Sequence, residues 1–137
     1  MKSQIKEWLK EKKLFVIDVG VESADRPLDT DPNPPIIRVV REAVECVIGS
    51  PHFAGILICA NGIATSIYAN RFKKIRAALC RSVDDARLSR QDNDVNVLCL
   101  GAETTDIETA KKIVNTFLTT RALDVMRYRR RQKLFDL

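Results

Sequence analysis

The strongest restriction on the fold comes from four short, mainly aliphatic runs, LFVIDVG, GILIC, RAALC and NVLCLG, each separated from the next by a stretch of helical periodicity. Strands apolar on both alternating faces must be covered on both sides, and strands that alternate with helices join in parallel. The pattern therefore predicts a doubly wound α/β domain with a four-stranded parallel sheet built from Leu14 to Val19, Gly55 to Cys59, Arg76 to Cys80 and Asn96 to Gly101. Sheets of this kind present their ligands at the carboxyl ends of the strands. The positions to inspect are then Asp18 to Gly20, Cys59 to Gly62, Cys80 to Ser82 and Gly101 to Thr104.

Between the strands, residues 2–13 carry Ile5, Trp8 and Leu9 at helical spacing, and Pro34 and Pro35 open a helix that runs to Gly49. Ser82 is placed to cap a helix through Asn93, and a further helix follows Asp106. The segment VESADRPLDTDPNPP reads as a loop. The 137 residues suit one domain, 1–137. After the last strand, LDVMRYRRRQKLFDL forms a basic helix whose Leu123, Val125, Met126, Leu134, Phe135 and Leu137 have no place in the domain core. That predicts contact with a partner subunit in a dimer or higher oligomer.

Charge and cysteine usage narrow the function classes. The 23 Lys and Arg against 18 Asp and Glu leave a net +5 concentrated in RYRRRQK, with no aromatic interleaving, so no nucleic-acid partner is expected. No apolar run reaches the length of a membrane span, and a cytoplasmic protein without membrane association is expected. Cys46, Cys59, Cys80 and Cys99 sit in apolar runs without metal-ligand spacing, which predicts reduced thiols and no bound metal. His52, the one histidine, lies in the loop before GILIC and reads as a surface or capping residue.

The stretch CANG differs from the others in its chemistry. A turn from strand to helix leaves backbone N–H groups pointing outward, and Asn61-Gly62 allows a sharp bend there. A thiol at that rim can take a proton from a carbon beside a carbonyl, while the N–H groups stabilise the enediolate oxygen. Core filling is the competing reading of Cys59.

The segment GILICANGIATSIYANRFKKIRAALC, with ARLSRQDNDVNVLCLGA and AKKIVNTFLTT downstream, resembles the ribose-5-phosphate isomerase B and galactose-6-phosphate isomerase (RpiB/LacAB) family. Cys59, Gly62, Ile63, Ser66, Ile67, Ala69 and Asn70 match its pattern. The resemblance implies a Rossmann-like three-layer fold with five strands in the family, a dimer with shared active sites, and aldose–ketose isomerisation of a phosphorylated sugar without cofactors. It implies Cys59 as the proton-shuttling base and the turn of Asn61, Gly62, Ile63 and Ala64 as the enediolate cradle. Asp92 takes the ring-opening position, Asn93 binds substrate beside it, and Arg127 and Arg131, four apart on a helix, grip the phosphate.

This sequence departs from the family in several places. The first family strand, with its Asp-His pair, has no counterpart before Lys2; Ala60-Asn61 stands for Gly-Thr, Ala64 for Gly, Asp92 for His, Asn33 for Tyr and Tyr128 for His. Two readings stay open here: an active isomerase, and a catalytically impaired member that binds phosphosugar or serves as a structural subunit, alone or paired with a related chain. The geometry expected of either is Cys59 lining a pocket beside Asn61, Gly62 and Asn93, with the two arginines arriving from a neighbouring subunit.

Overall fold

A computed structural model describes residues 1–21 and 35–135. Asn33 and the predicted loop around it, like Leu137, lie outside the described residues. The order of elements is α1 (Lys2–Glu11), α2 (Pro35–Gly49), β1 (Gly55–Cys59), α3 (Ile63–Ala69), β2 (Ala77–Leu79), α4 (Val83–Asn93), β3 (Val97–Gly101), α5 (Ile107–Thr119) and α6 (Met126–Phe135). The three strands pair in parallel in the order β1-β3-β2. Gly55 stands opposite Val97 and Cys59 opposite Gly101 on one side of β3, and Ala77 stands opposite Val97 on the other.

The central strand explains the layers. Successive side chains of a strand point to opposite faces. Leu98 and Leu100 accordingly pack with Ile5 and Leu9 of α1, Ala86 of α4, and Ala110, Ile113, Val114 and Phe117 of α5. Val97 and Cys99 point the other way, to Val40, Val44 and Val47 of α2 and Ala69 of α3. Every residue of β3 is buried, as a strand covered by helices on both faces requires. Local chemistry sets the helix starts. The Ser82 hydroxyl accepts from the Asp85 N–H at 3.0 Å while the Asp85 carboxylate accepts from the Ser82 N–H at 3.0 Å, a reciprocal cap. Asp106 caps α5 by accepting from the Thr109 N–H at 2.9 Å.

The structure corrects one expected strand. Residues Leu14 to Val19 form no ladder, and the sheet has three strands among the described residues rather than four. A strand exists only through a hydrogen-bonded neighbour, and β1, paired with β3 on one side, has no described strand on its other edge. The segment is held by side chains instead. Lys2 and Lys6 bind the Asp18 carboxylate at 3.2 and 2.9 Å, and the Phe15 ring lies 6.5 Å from that of Phe53, just ahead of β1. Phe15 is still 82% exposed.

Candidate active site

Two groups of the expected residues emerge, one at each end of the sheet. The first is the junction of β1 and α3. Cys59 ends its strand partly exposed, and its carbonyl accepts from the Ala102 N–H at 2.8 Å, while the Ala60 carbonyl accepts from the Glu103 N–H at 2.9 Å. The turn after β1 is thereby sewn to the turn after β3. Gly62 has φ of +76°, the left-handed region that side chains disfavour. A β-carbon there would also meet Leu79 Cδ1 at 2.5 Å and the Leu100 carbonyl carbon at 3.0 Å. The bend turns the Gly62 N–H back onto the Cys59 sulfur, to which it donates at 3.1 Å.

Asn61 supports the same turn by accepting the Ile63 N–H on Oδ1 at 3.0 Å. In the first turn of α3, the N–H groups of Ala64 and Thr65 have no partner within the helix, because the carbonyls they would need precede it. Thr65 was not singled out from the sequence. Its side chain is 4% exposed, its hydroxyl donates to the Gly62 carbonyl at 3.1 Å, and its oxygen lies 3.6 Å from the Cys59 sulfur. The signal was its place six residues after the cysteine, in the first turn of the following helix, where a threonine reads first as packing.

Chemically, this half offers a sulfur that accepts from a backbone N–H and a cluster of amides fit for an oxyanion. Burial pushes Cys80 up to about 11 and Cys99 up to about 12, so both stay protonated at neutral pH. Among the described residues no group of three or more His, Cys, Asp or Glu is placed to hold a metal. His52 is exposed, and its backbone N–H donates to the Ser50 hydroxyl at 3.4 Å.

The second group lies where α6 crosses α4. Arg131 donates to Asn93 Oδ1 at 3.2 Å. Its guanidinium lies 5.5 Å from the centre of the Tyr128 ring, and that of Arg127 lies 5.3 Å from the same ring. One aromatic face system thus positions two cations a helical turn apart. Asp92 precedes Asn93 in the last turn of α4, half-buried. A cavity of about 370 Å³ beside Asn93 is lined also by Asn70, Ile75, Arg76, Ser89 and Phe135.

That placement sets Asn93 apart from the Cys59 of its own chain. Helix α4 runs from the carboxyl end of β2 back toward the amino end of β3, so its last turn sits near Arg76, where β2 begins. Cys59 does not line that cavity. The two groups lie toward opposite ends of the sheet, whose strand β1 of five residues is about 13 Å long. Within one chain they do not meet.

The molecule is a parallel α/β domain with a thiol held at a strand-to-helix turn and an arginine-bearing helix after its last strand. The chain belongs to the ribose/galactose isomerase family, whose model matches residues 1–134. It is 39% identical over 118 residues to ribose-5-phosphate isomerase B of Escherichia coli, covering 86% of this chain and 74% of that protein. Among solved structures it is similar to a ribose 5-phosphate isomerase from Thermotoga maritima, with a TM-score of 0.85 and 36% identity over 98% of this chain and 88% of that one. It is also similar to ribose 5-phosphate isomerase B from Anaplasma phagocytophilum, with a TM-score of 0.79, 38% identity, and 96% and 84% of the two chains covered.

Proposed function

We propose that this protein is an aldose–ketose isomerase of phosphorylated sugars, of the ribose 5-phosphate to ribulose 5-phosphate type, with a site completed by a second copy of the chain. The observation that carries the reading is the 3.1 Å hydrogen bond from the Gly62 N–H to the Cys59 sulfur, which fixes the sulfur at the carboxyl end of a strand beside the amides of the turn into α3. In the forward direction the Cys59 thiolate takes the proton from C2 of the open-chain aldose. The electron pair left on C2 forms the enediolate, whose oxygens lie against the free amides of Ala64 and Thr65, with Asn61, Gly62 and Ile63 shaping the cradle. The hydroxyl proton of O2 passes to O1 and Cys59 returns its own proton to C1, which leaves the ketose with its carbonyl at C2.

The remaining roles fall to the second group. Arg127 and Arg131 grip the phosphate, Asn93 holds substrate hydroxyls, and Asp92 handles the proton of ring opening. Because this group sits at the opposite end of the sheet from its own Cys59, it serves the thiol of a partner copy. The α6 helix supports such assembly: none of its described side chains is buried, and Met126 and Leu134 are each 66% exposed.

The test is to supply the purified protein with ribose 5-phosphate and follow ribulose 5-phosphate. Turnover that Cys59→Ala abolishes, with unchanged secondary structure, supports the reading. A second reading is favoured by the side chains of Ala64 and Asp92, which replace a glycine and a histidine of the family pattern: a phosphosugar-binding subunit without turnover. Binding through the arginines with no conversion of any pentose or hexose phosphate selects it.

A further inference from the structure

The Thr65 hydroxyl has one proton and three polar neighbours, one of them the buried Cys99 thiol, which also hydrogen-bonds it. It lies buried between the Gly62 carbonyl at 3.1 Å and the Cys59 sulfur at 3.6 Å. When Cys59 carries a proton, its S–H donates to Thr65 Oγ1, and the Thr65 hydroxyl donates to the Gly62 carbonyl. When Cys59 is a thiolate the S–H donor is gone, and a rotation of the Thr65 side-chain hydroxyl directs its proton to the sulfur instead. The Gly62 N–H donates to that sulfur in both states, at 3.1 Å. We propose that Thr65 is a positioning residue whose hydroxyl follows the protonation state of Cys59, giving the thiolate a second donor and releasing it when the sulfur takes up a proton.

The inference rests on the reading of Cys59 as the base, and it adds how that base is kept ready. Nothing is oxidised or reduced: the proton that Cys59 gains leaves a substrate carbon, and the Thr65 proton only changes its acceptor. A valine at this position matches the shape of threonine but offers the sulfur no donor, so the thiolate loses one of its two hydrogen bonds. The surroundings leave little else to shift the balance on substitution. The titratable side chains on the neighbouring elements are Cys99 on β3, Glu103 after it, Cys80 and Arg81 after β2, Tyr68 on α3 itself, and Arg38, Arg41, Glu42, Glu45 and Cys46 on α2, which packs against both β1 and α3 and leaves its four charged residues exposed. Burial keeps Cys99 and Cys80 protonated, at about 12 and about 11, so neither adds a charge.

The experiment measures alkylation of the full-length protein by iodoacetamide against pH, with Cys59 modification quantified by peptide mass spectrometry. The variants are Thr65→Val and Thr65→Ser. Thr65→Val is expected to move the profile by roughly one pH unit to the alkaline side, with a roughly tenfold lower rate near neutral pH and the same plateau at high pH, the size of effect that one hydrogen bond to a charged group has. Thr65→Ser is expected to restore the wild-type profile. If the fault in Thr65→Val were a distorted turn, the rate would fall at every pH, plateau included. That outcome, or an unmoved profile, overturns the proposal. Because alkylation needs no turnover, a displaced profile in a protein that converts no sugar upholds the role of Thr65 while the isomerase reading fails.

Discussion

Two inactive variants should make an active mixture. In Cys59→Ala the sulfur end of the site is lost and the arginine end is intact; in Arg131→Ala the reverse holds. The distance between the ends decides how they combine. Cys59 closes β1 at its carboxyl end, while the Arg131 to Asn93 hydrogen bond of 3.2 Å lies at the last turn of α4, toward the other end of the sheet. A separation of about 13 Å, the length of β1, is longer than a pentose phosphate between its phosphate and its C2, and the expectation is that the two ends come from different chains. Each variant alone should be inactive. Co-expressed in equal amounts, about half of the dimers are mixed, and each mixed dimer of an isologous pair carries one intact site and one doubly impaired site. About a quarter of wild-type turnover should return. The assay is formation of ribulose 5-phosphate by the co-purified mixture, with each variant and the wild type prepared in parallel. A mixture as inactive as its parents, from a wild type that turns over, would refute the shared site.

Two further outcomes follow from the geometry. Gly62→Ala should lose about 1–3 kcal/mol of stability in urea unfolding, since φ of +76° is strained for alanine and its methyl would strike Leu79; an unchanged midpoint would mean that the turn relaxes freely. Asp18, held down to about 2 from 3.8 chiefly by the hydrogen bond from Lys6, binds fewer protons folded than unfolded across that interval. Its contribution is therefore present above about pH 4 and lost as pH falls through about 2; solvent screening keeps it to a few tenths of a kcal/mol, read as the urea midpoint of wild type against Asp18→Asn at pH 5 and pH 2.5.

Much of the architecture was legible because burial on both faces writes itself into a strand: GILIC and VLCLG can be little else between helical segments. LFVIDV carries the same composition and misleads, because local hydrophobicity does not reveal whether a neighbour is present to complete a ladder. The strand-end thiol and the bend at Gly62 were legible from residue type and order. The placement of Asn93 was also within reach, since a helix that returns between parallel strands must end at their amino side, but motif matching groups residues without regard to that direction. Thr65 was not legible. A threonine on a helix is ordinary, and only its distance to the sulfur gives it meaning.

The ends of β1 and β3 have a consequence for how such a sequence can change over generations. A β-carbon on Gly101 would lie 2.8 Å from both the Cα and the carbonyl carbon of Asn61, and would clash with Thr104 Oγ1. Two of those three contacts are backbone atoms, which no substitution at position 61 removes. Position 101 is therefore closed to inheritance of anything but glycine for as long as the two turns stay sewn together. Position 61 is bound only through its main chain and through an oxygen that accepts the Ile63 N–H, a service that a threonine hydroxyl performs as well as an asparagine amide. Asparagine in place of the family's threonine is thus the kind of change that drift can make without a compensating partner.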